Sequence, residues 1–383
     1  MPNKVLFIIP DNGLNGGTVS SLQCIINTFK DIDLAVYPIK RSSDCFFEDL
    51  LVRESWLLSA YYNPLHTLSP RFKIKGIFIK ILKRVGERFS LDVKSWIDKK
   101  GMRHLDRNGN YDIVVGFEEY TPTHIASWSK AKKKVAWVHC DYRNRFNGEC
   151  LEEDVYKRFD QIVCVSNYTA KTFISCYPRL IDRVIAIHNL FDKYRIDSLS
   201  RQVSDVKFES TEFNIISVGR IHPVKRFFLI PQIASYLKNE GLKIRWYLIG
   251  SAQYPEDLKP IEDNIEQYSV SNEVTLLGAK ANPYPYFRQA DHLVSLSVSE
   301  ACPMIFNEAK VLGLPIVSTD FGSAAEFIND GLNGLISPVE HIGKAISRMI
   351  EDTILYNEIK ANMRIEDEEE KVVVALNDVL CNI

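Results

Sequence analysis

The chain has 383 residues, 25% of them charged, and a formal net charge of −2. That length exceeds one comfortable hydrophobic core and implies two domains, while the near-neutral balance gives no reason to expect a nucleic-acid partner. The 8 cysteines include no CxxC pair and no Cys/His cluster at zinc spacing, so neither a disulfide framework nor a metal site is indicated and a reducing cytoplasm fits.

Val5 to Ile9 is an unbroken apolar run, as expected of a strand buried on both faces of a parallel sheet. It is too short for a signal-peptide core or a membrane span, so the expectation is a cytoplasmic protein. Pro10 to Thr18 then supplies a glycine-rich loop, and Val19 to Phe29 reads as a helix. Strand, glycine loop and helix in that order suit phosphate binding, because glycine lets backbone amides approach an anion. Gly16 and Gly17 are therefore candidate ligand contacts, with a plain turn as the alternative. The spacing is not GxGxxG.

Arg71 to Arg103 holds eleven Lys or Arg against three Asp or Glu. Ile74, Ile77, Phe78, Ile81, Leu82, Val85 and Phe89 fall at helical spacing, with lysines and arginines on other faces. Such a helix can lie in an anionic membrane surface; the alternative is a packed helix with a solvated basic side. Strand-like runs follow at Tyr111–Phe117, Lys134–Val138, Gln161–Val165 and Arg183–Ile187, and their alternation with helical stretches argues for a parallel α/β sheet. Several end in polar residues, where open α/β sheets bind ligands. Among these, His139 beside Asp141 is the candidate of most interest.

The expected division is an N-terminal Rossmann-like domain over residues 1–195, a polar linker over 196–212, a second Rossmann-like domain over 213–352 and a helical tail over 353–383. The second domain begins as the first did. Phe213–Val218 reads as a strand and Gly219–Lys225 as a loop, so that Arg220 and Lys225 flank a strand-to-helix turn. A guanidinium fork and an ammonium placed there can share one diphosphate; surface salt bridges are the alternative. Further strand runs follow at Ile244–Gly250 and Glu273–Gly278. His292–Val298 then leads into Ser299-Glu300, and Pro303 opens a helix that holds Glu308 and stops at Gly313. The amides of Ala301, Cys302, Pro303's neighbours Met304 and Ile305, and Phe306 include that helix's free donors, which suit a phosphate or hydroxyl-rich ligand. Glu300 and Glu308 could reach different ends of one elongated ligand, or be a cap and a solvated side chain.

These residues resemble the retaining GT-B glycosyltransferases of family 4, an α/β fold with two Rossmann-like domains facing each other across a cleft, in which the last helix commonly crosses back to the first domain. The carriers are Val218-Gly219-Arg220 with Lys225, Leu248-Ile249-Gly250, Asn282-Pro283-Tyr284, Glu300 with Glu308, and Gly331–Leu335. The resemblance is strongest from Asn214 to about Ile350. It implies a transferase that takes a UDP-sugar in preference, and a glycan acceptor, lipid-linked, in capsule, exopolysaccharide or lipopolysaccharide synthesis. Arg220 and Lys225 would hold the donor diphosphate, Glu300 the sugar hydroxyls and Glu308 the ribose. Gly17 would lie near the phosphates and His139 near the transferred sugar. Attack would come from the front face, with the departing phosphate taking the acceptor's proton. No metal or other cofactor would be needed. The family's glycine after the first glutamate is Ala301 here, which bears on donor identity. A nucleotide-sugar 2-epimerase or hydrolase, or a silent binding subunit, would share the same fold.

Overall fold

The computed structural model describes residues 3–11, 16–41, 47–145, 153–209, 211–252, 254–363 and 368–382. The chain forms two compact units, Met1–Leu190 with Glu369–Ile383, and Phe191–Glu368. Each is built on a six-stranded, all-parallel sheet.

The first sheet has the order β2-β1-β3-β4-β5-β6, from β1 (Lys4–Asp11), β2 (Asp33–Lys40), β3 (Ile113–Gly116), β4 (Lys133–Val138), β5 (Gln161–Cys164) and β6 (Val184–Ala186). Val5 to Ile8 of β1 are fully buried, which explains the unbroken apolar run. Strand order reverses beside β1, so the carboxyl ends of β1 and β3 frame the ligand-binding crevice of the unit. β2 escapes the sequence reading because Pro38 interrupts its pattern, and an edge strand tolerates a residue that cannot donate to the ladder. The basic stretch forms two helices, Pro70–Phe89 and Val93–Gly109, separated by Ser90 in the left-handed region at φ 52°.

The second sheet has the order β12-β11-β10-β7-β8-β9, from β7 (Phe213–Val218), β8 (Ile244–Ile249), β9 (Val274–Gly278), β10 (His292–Ser295), β11 (Ile316–Thr319) and β12 (Gly334–Ser337). Here the reversal falls between β7 and β10, which pair through His292 with Ile215 and Leu293 with Ile216.

The expected linker over 196–212 is corrected. Lys193–Ser200 is a helix capped by Asp192, whose carboxylate accepts from Arg195 N at 2.9 Å. Asp197 takes Arg288 at 2.7 Å, Asn282 Nδ2 donates to Leu199 O at 2.9 Å, and Phe208 stacks on Tyr247 with centroids 3.7 Å apart. The polar composition that suggested a free connection is the side of a packed segment of the second unit. The tail also divides. Thr353–Ala361 places Leu355 and Ile359 in the second core, whereas the helix Glu368–Cys381 belongs, from Glu369 on, to the first unit. There Lys133 Nζ donates to Val379 O at 2.9 Å and Asn3 Nδ2 to Cys381 O at 2.6 Å.

Candidate active site

In the second unit the loops after β7 and β10 are tied together. Val298 N donates to Val224 O at 2.9 Å, and the His222 ring accepts from Val224 N at 3.3 Å, closing the short turn Pro223–Lys225. This brings the Lys225 ammonium onto Glu300 Oε1 as an ion pair, with side chains 25% and 17% exposed. Ser297 Oγ donates to the same carboxylate oxygen at 2.7 Å, while Ser323 Oγ donates to the Glu300 carbonyl at 2.7 Å. Arg220, on the same loop, is exposed, and its side chain has no ion pair or hydrogen bond among the described residues. The structure thus joins Lys225 and Glu300, residues 75 apart in sequence, with Arg220 exposed on the loop that carries Lys225.

The loop carrying Arg220 is held from behind by Gly250. A Cβ there would lie 1.9 Å from Gly219 O, a backbone atom that cannot swing aside. Glycine at the end of β8 is therefore required by the close approach of two chain segments.

The helix Met304–Val311 follows Pro303, and Leu312 leads to Gly313 at φ 67°. Phe306 and Ala309 anchor it in the core; Cys302 and Pro303 are buried, and Ala301, Met304 and Ile305 are half-buried. Glu308 accepts from Tyr284 OH at 3.2 Å, and burial pushes its carboxyl up to about 7 against the opposing effect of that hydrogen bond. Tyr284 is itself placed by its backbone N–H, which donates to Asn282 Oδ1 at 3.2 Å. The sequence named Asn282-Pro283-Tyr284 without showing that the tyrosine reaches Glu308, because the contact joins two separate crossovers.

In the first unit Gly16 caps the helix Gly17–Thr28, with Ser20 N donating to Gly16 O at 3.0 Å. A Cβ at Gly16 would meet nothing within 4 Å, so packing does not demand glycine there. The rest of the expected glycine loop, residues 12–15, lies outside the described residues. His139 follows β4 with its ring against Phe117 at 4.9 Å and stacked towards Trp137 at 6.5 Å. Burial pushes the imidazole down to about 3, so it is neutral at any physiological pH, and Nε2 has no hydrogen-bond partner among the described residues. The backbone N–H groups of His139 and Cys140 donate to Glu119 Oε1, the latter at 2.8 Å. Asp141 is buried and accepts from Tyr168 OH at 3.0 Å.

Glu119, 2% exposed, is the functional candidate the sequence reading missed. Its signal was the pair Glu118-Glu119 directly after β3, at the carboxyl edge where this sheet reverses. Gly116 lets the following helix approach, since a Cβ there would lie 2.8 Å from Thr123 Cα.

Two all-parallel six-stranded α/β units of this kind constitute the GT-B fold. The crystal structure of HepE from Anabaena, bound to UDP-glucose, superposes with a TM-score of 0.72 at 16% identity, covering 98% of this chain and 99% of that one. The lipopolysaccharide outer core galactosyltransferase WaaB, in its apo form, gives 0.66 at 14% identity, with 98% and 100% covered. Residues 200–366 match the family Glycosyl transferases group 1, so the second unit carries a domain of that family. A D-inositol 3-phosphate glycosyltransferase of Nocardia farcinica is 24% identical over 228 residues, 56% of this chain and 49% of the relative. The chain spans about half the length, or less, of such curated relatives.

Proposed function

We propose that the chain is a retaining glycosyltransferase that moves a sugar from a nucleoside-diphosphate sugar, a UDP-sugar in preference, to a glycan acceptor. The observation that carries this reading is the ion pair of Lys225 with Glu300, on the loops after β7 and β10 at the reversal point of the second sheet, with Arg220 exposed on the same loop as Lys225. The UDP-glucose complex of HepE supports a UDP donor, and the activity of WaaB supports a surface glycan, lipid-linked, as acceptor.

Breaking the anomeric bond leaves negative charge on the departing phosphate and positive charge on the sugar. Lys225 and Arg220 meet the first charge as it grows, which is where binding lowers a barrier. Glu300, oriented by Ser297, holds the Lys225 ammonium towards the strand ends and offers its carboxylate to sugar hydroxyls. Glu308 takes the ribose hydroxyls, and the backbone of Ala301 to Ile305 lines the sugar. In the first unit, Gly16 and Gly17 serve the phosphates, and neutral His139 serves the transferred sugar as a hydrogen-bond partner. The departing phosphate takes the acceptor's proton on the face it leaves. Lys225 and Arg220 supply the positive charge, so the reaction proceeds without a metal.

Incubation of the intact chain with UDP- and GDP-sugars, followed by anomeric NMR, tests this. The expected result is nucleotide release with retained configuration and no loss of rate in EDTA. Inverted product, or activity abolished by the chelator, would overturn the mechanism.

A further inference from the structure

The helix Pro70–Phe89 packs by its small side. Ile79 is 2% exposed, and Gly76 and Gly86 are buried with it. A Cβ on Gly76 would lie 2.6 Å from Leu68 Cδ1, and one on Gly86 2.4 Å from Val93 Cγ2. The glycines let the helix sit close on its neighbours. Its large apolar residues point the other way: Ile74, Ile77, Phe78, Ile81, Val85 and Phe89 are 82%, 50%, 66%, 54%, 39% and 65% exposed. At 3.6 residues per turn these six fall within an arc of about 120°, along a helix about 30 Å long. Exposure of one such residue is ordinary, whereas six in a continuous stripe mark an interaction surface. Past the turn at Ser90, Leu91 and Trp96 are exposed too.

Charge selects the partner. The helix carries seven Lys or Arg against the single acidic Glu87. Lys75 and Lys83 lie over the rings of Trp56 and Tyr61, at 5.2 and 5.1 Å, and Lys80 Nζ donates to Tyr61 O at 2.8 Å. Lys73, Arg84 and Arg88 are exposed beside the apolar stripe. A second copy of the chain would set these cations against their own equivalents. An anionic lipid surface offers apolar depth under the stripe and phosphates at its margins. No helix among the described residues is long and apolar enough to cross a membrane, so this one lies along the surface.

We infer that the exposed face of Pro70–Phe89 docks on an anionic bilayer, with Ile74, Phe78 and Ile81 entering the headgroup–acyl boundary and Lys73, Arg84 and Arg88 meeting lipid phosphates. This inference is independent of the glycosyl-transfer reading. Flotation of the intact chain with phosphatidylcholine vesicles, alone or mixed with phosphatidylglycerol, tests it. The chain is expected to float with the mixed vesicles, to be released by high salt, and to stay behind with phosphatidylcholine alone. Phe78→Ser with Ile81→Ser, and Lys73→Glu with Arg84→Glu, should each cut the bound fraction at least about tenfold at unchanged melting temperature. Failure of the wild-type chain to float with the mixed vesicles, or equal flotation of the apolar double variant, would overturn the proposal. A dimer in sedimentation that the apolar double variant abolishes would reassign the face to a second copy.

Discussion

Lys225 and Glu300 meet through two loops that the strand order makes neighbours, and the proposed chemistry rests on the cation. Lys225→Ala is expected to lower transfer by about 10²–10³, the range for removing one preplaced electrostatic group. Steady-state assays at saturating donor check this, and the melting temperature should move little, because the pair is partly solvated. Glu308 gives a pH signature. Its carboxyl titrates near 7 in the fold and near 4.5 in an unfolded chain, so the folded state holds the extra proton between those values. The stability this contributes is complete below about 4.5 and is lost as pH rises through 7. Glu308→Gln should therefore melt higher than the wild type at pH 8, with the difference gone near pH 4. If Glu308 grips ribose as an anion, donor affinity of the wild type should rise between pH 6 and 8 and that of Glu308→Gln should stay flat. Calorimetry across that range reads both. Arg220, Lys225, Glu300 and Glu308 were legible from sequence because each sits at a fixed offset from a strand end. Glu119 was not, and Tyr284 was named without its contact, because their partners, the amides after β4 and the carboxylate of Glu308, lie on other elements.

At the scale of elements, Gly250 sets where the Arg220 loop lies. Gly250→Ala would drive a Cβ into the Gly219 carbonyl, so the loop must shift. Nucleotide affinity is expected to fall about tenfold, the consequence of displacing a charged contact. Unchanged affinity in a titration would show that Arg220 and Lys225 act without this support. β10 holds a second liability. His292 is fully buried, both ring nitrogens lack hydrogen bonds among the described residues, and burial pushes its imidazole down to about 3. The unfolded chain takes up the proton near 6.5, so stability falls as pH drops from there towards 3. His292→Leu should flatten that loss, most visibly in melts compared at pH 5 and pH 7.5. Eleven strand runs read from sequence, Pro315–Ser318 and Gly334–Ile336 among them, lie on observed strands, several with frayed ends. Only β2 was missed outright, because Pro38 cuts its apolar run after Leu34 to Tyr37 and argues against a strand anywhere but at a sheet edge.

For the whole molecule, the path of the chain matters more than the count of domains. It leaves the first unit near Leu190, builds the second, and returns with Glu368–Cys381, whose Leu376, Val379 and Leu380 are buried. At about 1.5–3 kcal/mol for each buried leucine or valine, truncation after Met363 should cost several kcal/mol. A lower melting temperature of the truncated chain would register it. The domain pattern was legible because strand–loop–helix repeats carry strong periodicity, whereas the packed segment over 196–212 was not, since its hydrogen bonds to Arg288 and Asn282 leave no trace in local composition. In the proposed reaction the second unit grips a nucleoside diphosphate through Lys225. Calorimetric titration of UDP into the intact chain and into Lys225→Ala tests it most directly. The wild-type chain is expected to bind, and the variant to bind at least about tenfold more weakly; equal affinity for both, or no binding of UDP or GDP by the wild type, would rule out this grip.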